Sequence, residues 1–252
     1  MNSFRKLHTQ NQPLIIGNIW DAQSALLFEK NGYQAVGTSS AAVASSLGYE
    51  DGEKIPFTEL LKIVKNIQDK ISIPLTVDIE KGYGSDNNQI INNIKELLIL
   101  NISGINIEDS VSNSPKTLQS ANDFCKTINA IKEYLIQIKS SLFVNVRTDA
   151  YIIGLNSPFK ETLSRVKHYT NCGADGIFIP CITDEKETEH LVKSTHLPIN
   201  VMCMPNLPDF DRLQKIGVKR ISMGPFLYNN MIEKNQNTIQ RINKDKNFSV
   251  LF

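Results

Sequence analysis

The sequence predicts an α/β chain that closes into one (β/α)8 TIM barrel, a single domain over residues 1–252. Three observations carry this. Short β-rich runs alternate with amphipathic stretches along the whole chain, no G-x-G-x-x-G follows the first run, and polar residues gather where the runs end. Alternation implies parallel strands joined by helical crossovers. The missing dinucleotide fingerprint favours a closed barrel over an open, doubly wound sheet. A chain of 252 residues is also the usual length for one such barrel.

The strands are expected at Leu14–Gly17, Ala35–Thr38, Leu75–Asp78, Ile105–Glu108, Phe143–Arg147, Gly176–Ile179, Ile199–Met202 and Arg220–Ser222. Their near-continuous Ile, Val, Leu and Phe suit strands covered on both faces. Between them, Asp21 opens a helix carrying Ala25, Leu26 and Phe28. Thr58 opens another, with Leu60, Leu61, Ile63, Val64 and Ile67 as its stripe. Ile90, Ile91, Ile94, Leu97 and Leu98 mark a third, and Ala121–Ile138 a long fourth with Phe124, Ile128, Ile131 and Leu135. Further helices start at Pro158, Asp184 and Phe210. Apolar recurrence at three and four residues supports each. Residues 228–252 read as a polar tail ending in an apolar Phe248–Phe252.

The formal net charge of +1 gives no reason to expect a nucleic-acid or anionic-membrane partner. Apolar runs stop short of a membrane span, and residues 1–10 lack the apolar core of a secretory signal. Cys125, Cys172, Cys181 and Cys203 form no C-x-x-C pair and read as reduced thiols of a cytoplasmic protein. His8, His168, His190 and His196 are isolated and read as surface or helix residues.

In a barrel the chemistry sits at the carboxyl ends of the strands. Here those ends read Thr38-Ser39-Ser40, Thr76-Val77-Asp78-Ile79-Glu80, Asn106-Ile107-Glu108-Asp109 and Asn145-Val146-Arg147-Thr148-Asp149. Asp78, Glu80 and Glu108 are expected to converge on one mouth. Two carboxylates about 4 Å apart repel by roughly 4 kcal/mol at an effective dielectric of 20, so the cluster needs a proton, a base or a metal. A hard oxygen set with few protein ligands suits Mg²⁺. Arg147 offers a planar fork to a substrate carboxylate or phosphonate, and Ser39 and Ser40 offer donors to an anionic oxygen. The competing reading makes these acids and serines helix caps. Trp20 either lines the mouth or packs in the core. The loop 110–120, rich in Ser and Asn, reads as a gating lid with Lys116 as its ionisable residue.

These motifs resemble the isocitrate lyase/phosphoenolpyruvate mutase superfamily, most closely its compact bacterial branch. The resemblance rests on 18–22 (NIWDA), 37–52 (GTSSAAVASSLGYEDG), 77–84 (VDIEKGYG), 104–109 (GINIED), 145–149 (NVRTD) and 173–180 (GADGIFIP), in the family's order. It implies that Asp78 ligates Mg²⁺ (or Mn²⁺) directly, and that Glu80, Glu108 and Asp51 hold the metal's waters. It implies also that Ser39 and Ser40 meet the substrate carboxylate, and that Arg147 steadies the substrate and its enolate. The implied substrate is a small 2-oxo acid or its precursor, with a bond made or broken at C3. A cytoplasmic homo-oligomer, dimer or tetramer, is the implied assembly.

The departures narrow the reaction. The K-K/R-C-G-H loop of isocitrate and methylisocitrate lyases is replaced by Ser110–Leu118, which holds neither Cys nor His. The Lys-x-Asn-Ser gate of the mutase and phosphonopyruvate hydrolase is broken after Lys116-Thr117. A mutase His is replaced by Pro180 or Cys181, and Glu80 stands where many relatives have Asp. Two functions follow as expectations: a Mg²⁺-dependent enzyme of C–C or C–P bonds in which Arg147, Glu108, Glu80 and Lys116 act, or a catalytically degenerate 2-oxo-acid-binding protein.

Overall fold

A computed structural model describes residues 3–111 and 115–252. Eight parallel strands close in the order β1 (Leu14–Ile19), β2 (Val36–Thr38), β3 (Leu75–Asp78), β4 (Gly104–Glu108), β7 (Phe143–Arg147), β8 (Gly176–Ile179), β9 (Ile199–Met202) and β10 (Arg220–Ser222), with β10 pairing back onto β1. The expected strands are present, several to the residue. The barrel is thus a single-domain (β/α)8 fold.

The crossover helices are α2 (Ala22–Lys30), α4 (Phe57–Gln68), α5 (Asn87–Ile99), α6 (Ala121–Gln137), α7 (Pro158–Asn171), α8 (Glu185–Lys193) and α9 (Phe210–Ile216). Asp21, Asp86, Ser120, Asp184 and Asp209 cap their first turns by accepting backbone N–H bonds. Leu60, Val64 and Ile67, and likewise Ile90, Ile94 and Leu97, face the barrel wall and are buried. Gly217 ends α9 at φ 95°, a conformation that a side chain disfavours.

The ring has a plug at its amino end. Helix α1 (Ser3–Leu7) lies under the floor, where Phe4 meets Phe143 edge-on at 5.7 Å and His8 stacks on Phe143 at 4.2 Å. Arg5 fixes the plug through Asp175 (2.8 Å) and the Leu142 carbonyl (3.0 Å).

Above the plug the lumen is polar, where barrels of this kind are usually filled by branched apolar residues. The Asn145 amide donates to Asn106 (2.9 Å) and Asn200 (3.1 Å), and Asn200 donates to the Ser222 hydroxyl (3.1 Å). Arg220, 1% exposed, donates to Asn106 at 3.2 Å.

Four expectations are corrected. Residues 228–252 are no simple tail: α10 (Phe226–Asp245) is a 20-residue helix, followed by a 3-10 turn at Ser249–Leu251. Its polarity disguised it, because Tyr228 is its one buried residue. His8 is buried in the floor, not on the surface. Cys125 and Cys172 are not free thiols but are joined in a disulfide between α6 and α7; spacing in sequence says nothing about two helices that pack side by side. The helix expected at Thr58 begins one residue earlier, after Pro56. Helix α3 (Ser40–Ser46) and a small hairpin, β5 (Ser110–Val111) with β6 (Thr117–Leu118), were not expected. Among the described residues no helix is long and apolar enough to cross a membrane.

Candidate active site

Strand alternation fixes the mouth. Register places Asp78 beside Asn106 and Glu108 beside Arg147, so the carboxyl ends of β3, β4 and β7 face one another. Asp78 is buried. One carboxylate oxygen accepts from the Ser40 hydroxyl (3.0 Å) and the other from the Glu80 N–H (3.2 Å), while its own N–H donates to Thr38 (2.8 Å). Burial pushes its carboxyl up to about 6, with the Glu108 charge adding and Arg147 opposing.

Glu80 lies just past β3 in a left-handed conformation, φ 50°. Its Oε2 accepts from the Glu53 N–H (2.7 Å) and its Oε1 from the Tyr83 hydroxyl (2.9 Å). Tyr83 N–H in turn donates to Glu53 at 2.6 Å. Glu53 (φ 59°) and Tyr83 (φ 55°) share the same strained region, so three non-glycine residues are locked around one carboxyl. Burial, then the nearby Asp51, push Glu80 up to about 8. Asp51 sits on the exposed rim, and its carboxyl is raised by desolvation and by the charge of Glu108.

Glu108 is the neutralised member. It accepts from Lys116 (2.8 Å), Ser110 (2.7 Å) and Arg147 (3.0 Å). Arg147 also grips Asp149 through Nε (2.5 Å) and Nη2 (3.2 Å), and Lys116 reaches Asp149 at 2.7 Å. Burial would lift the Asp149 carboxyl; the two cations hold it below its ordinary value. Lys116 is raised by Glu108 and Asp149 against its own desolvation. Residues 112–114 of the expected gating loop lie outside the described residues.

The structure therefore brings together Asp78, Glu80, Glu108, Arg147, Ser40 and Lys116. Ser39 is committed elsewhere: its hydroxyl caps α3 by accepting from Ala42 (3.4 Å), and its N–H bonds Ile19 (2.9 Å). Trp20 packs edge-on against Tyr228 at 5.1 Å and lines a groove between α2 and α10, apart from the acids. Asp109 turns away and is held by Arg165 (2.9 Å) and Tyr169 (2.7 Å).

Asp149, Tyr83, Glu53 and Ser110 were given no role of their own from the sequence. Asp149 was findable, since it stands two residues past Arg147 on one strand end, where alternation puts both on the same side. The roles of Glu53 and Ser110 depend on loop conformations that no pattern encodes.

Among the described residues no three Asp, Glu, His or Cys side chains form a ready-made metal cage. The donor set still fits a divalent ion that keeps its waters. Asp78, Glu80 and Asp51 are all-oxygen donors in one mouth, each pushed toward protonation, and none has a Lys or Arg ion pair among the described residues.

The chain is similar to known proteins over most of its length. A family model described as phosphoenolpyruvate phosphomutase matches residues 4–243. An uncharacterized protein of Mycobacterium tuberculosis is 33% identical over 226 residues, covering 90% of this chain and 83% of that one. The 2-methylisocitrate lyase of Escherichia coli is 27% identical over 216 residues, covering 82% of this chain and 70% of the lyase. A crystal structure from Burkholderia cenocepacia, provisionally described as a phosphonomutase, superposes with a TM-score of 0.88 at 31% identity, covering 94% of this chain and 97% of that one.

Proposed function

The chain belongs to the phosphoenolpyruvate phosphomutase family, and from that premise we propose that it is a Mg²⁺-dependent enzyme making or breaking a C–C or C–P bond in a small 2-oxo acid or its precursor. It is an enzyme of the isocitrate lyase/phosphoenolpyruvate mutase superfamily. The observation that carries the finer reading is the pair Asp78 and Glu80: both are buried, neither has a Lys or Arg ion pair among the described residues, and Asp78 lies in the field of the Arg147 guanidinium.

Asp78 would hold the ion directly, with Glu80, Asp51 and Glu108 holding its waters; Mn²⁺ would serve in the same place. When bound, such an ion polarises the 2-oxo group and draws off the charge that develops on the 2-oxygen. The protein's own groups do the rest. Ser40 orients Asp78, and Tyr83 with Glu53 orient Glu80. Arg147, held at a fixed angle by Asp149, presents positive charge to the enolate as the bond at C3 breaks. Lys116 adds a second cation from the loop side. Ser110–Leu118 has neither Cys nor His, so the leaving group has no acid of the methylisocitrate lyase kind; the broken Lys-x-Asn-Ser gate speaks equally against a mutase of the usual kind, and a different C–C or C–P substrate is the reading that remains.

Incubation with Mg²⁺ and oxaloacetate, phosphonopyruvate, methylisocitrate or four-carbon malates is expected to release pyruvate or a related oxo acid. Turnover should vanish in Asp78→Ala. Failure on all of these with metal binding intact would overturn the reading. It would favour instead a degenerate 2-oxo-acid-binding protein, for which one observation speaks: every nitrogen of Arg147 already has a carboxylate partner.

Helix α10 leaves Leu227, Ile232 and Ile239 exposed, and Phe248, Leu251 and Phe252 follow it, which supports a homo-oligomer, dimer or tetramer, as the working assembly. With Cys125 and Cys172 bonded, the reduced-thiol argument for a cytoplasmic location falls away; the proposed reaction on small metabolic acids is what remains in its favour.

A further inference from the structure

Arg220 has no place in the chemistry above, yet it sits on the barrel axis beneath it. It is inward-facing on β10, in register with Leu14 and Asn200 in the lowest part of the lumen, and 1% exposed. Its Nη2 reaches up to Asn106, the register partner of Asp78. Its Nε and Nη1 have no hydrogen-bond partner among the described residues, and no carboxylate there forms an ion pair with it. A buried guanidinium is ordinarily matched by an acid, because an unmatched one loses its hydration without return.

Beneath it, no carboxylate among the described residues pairs with it. His8, the nearest titratable neighbour on the plug, donates Nδ1–H to the Phe4 carbonyl at 3.0 Å. Its Nε2 is bare and unpartnered among the described residues, and burial with the Arg220 charge keeps the ring neutral, its pKa lowered to about 3. Arg5 and Lys219, the other cations of the floor, bond Asp175 and the Gln10 carbonyl. The opposite charge that Arg220 feels is Asp78, one lumen layer above. Burial nonetheless lowers Arg220 to about 9, which leaves it cationic at neutral pH.

We propose that Arg220 is a buried counter-cation that weakens and thereby tunes divalent-ion binding at Asp78. The inference rests on the reading of Asp78 as the metal ligand. Its physics is that of two positive charges facing each other through a buried lumen: a cation arriving on Asp78 from the mouth meets the fixed charge of Arg220 from below, where bulk solvent screens it less than at the surface. A neutral residue there should let the ion bind more tightly; the natural residue keeps it exchangeable.

The test is Mn²⁺ affinity by calorimetry at pH 8 on the full-length protein. Arg220→Met and Arg220→Gln are expected to bind Mn²⁺ about three- to tenfold more tightly, and Arg220→Lys to stay near the parent. Arg220→Met is also expected to melt no lower than the parent, since it fills the same volume without a stranded charge. Equal or weaker binding in both neutral variants, or loss of folding in both, overturns the proposal. Asp78→Asn separates the two levels. If the parent binds Mn²⁺ and Asp78→Asn does so equally well, the metal-site reading fails first. If Asp78→Asn abolishes binding while the Arg220 variants match the parent, the inference alone fails.

Discussion

At the mouth of the barrel, Asp78, Glu80 and Glu108 are 7%, 4% and 4% exposed; at the floor, Phe4, His8 and Phe143 are 0%, 4% and 3% exposed. Depth of burial is the same, but the contents differ. The floor buries rings against rings, with its histidine uncharged. The mouth buries Asp78 and Glu80, both pushed toward protonation, around three residues in left-handed backbone. One end gains stability from burial, and the other gives stability up to hold charge in place. Stability and activity should therefore respond to mutation at opposite ends of the same strands.

The largest effect that could break this contrast lies in the floor. Phe143→Ala should cost about 3–5 kcal/mol in denaturant unfolding, from lost ring burial and the cavity left behind. The activity of the remaining folded fraction should hold; a large fall in kcat per folded molecule would show that the ends are not separate. In the mouth, Arg147→Lys should lower kcat/KM by about 10²–10³ with little change in Tm, because a point charge cannot replace the oriented fork. Tyr83→Phe should follow with about a 10–100-fold loss of metal affinity or activity, as for other groups that orient a metal's ligands. An unchanged value would detach the Tyr83–Glu53 clamp from function.

An effect absent at neutral pH sharpens the floor. Burial lowers the folded-state pKa of His8 from 6.5 to about 3, so between these values the unfolded chain binds more protons. The His8 contribution is fully present above pH 6.5 and is lost as pH falls toward 3, at up to ~1.4 kcal/mol per pH unit. In His8→Phe the stability curve should flatten across that window.

Much of this was legible in the residues. Buried parallel strands write themselves as apolar runs, and strands β3, β7, β8, β9 and β10 stood at their observed bounds. Asp78, Glu80, Glu108 and Arg147 were legible because alternation converts neighbouring strand ends into one surface. What stayed hidden depended on tertiary packing. Helix α10 offers no buried stripe to read, since Tyr228 alone faces inward. Ser39 and Ser40 look alike in sequence, yet one caps α3 and the other bonds Asp78, a difference set by a single turn of backbone. Trp20 could be placed at a strand end but not on a side of it. His8 lacked any pattern, because its burial is decided by a plug that closes from the far side of the ring.

The Cys125–Cys172 bond closes a covalent loop over 47 positions, and β7 with Arg147 and Asp149 lies inside it. A protease that cuts the exposed turn near Gly154 would therefore not release a fragment. The nicked chain should migrate as one species without reductant and as two with it, and the strand bearing the guanidinium should stay threaded in its ring after the backbone is broken.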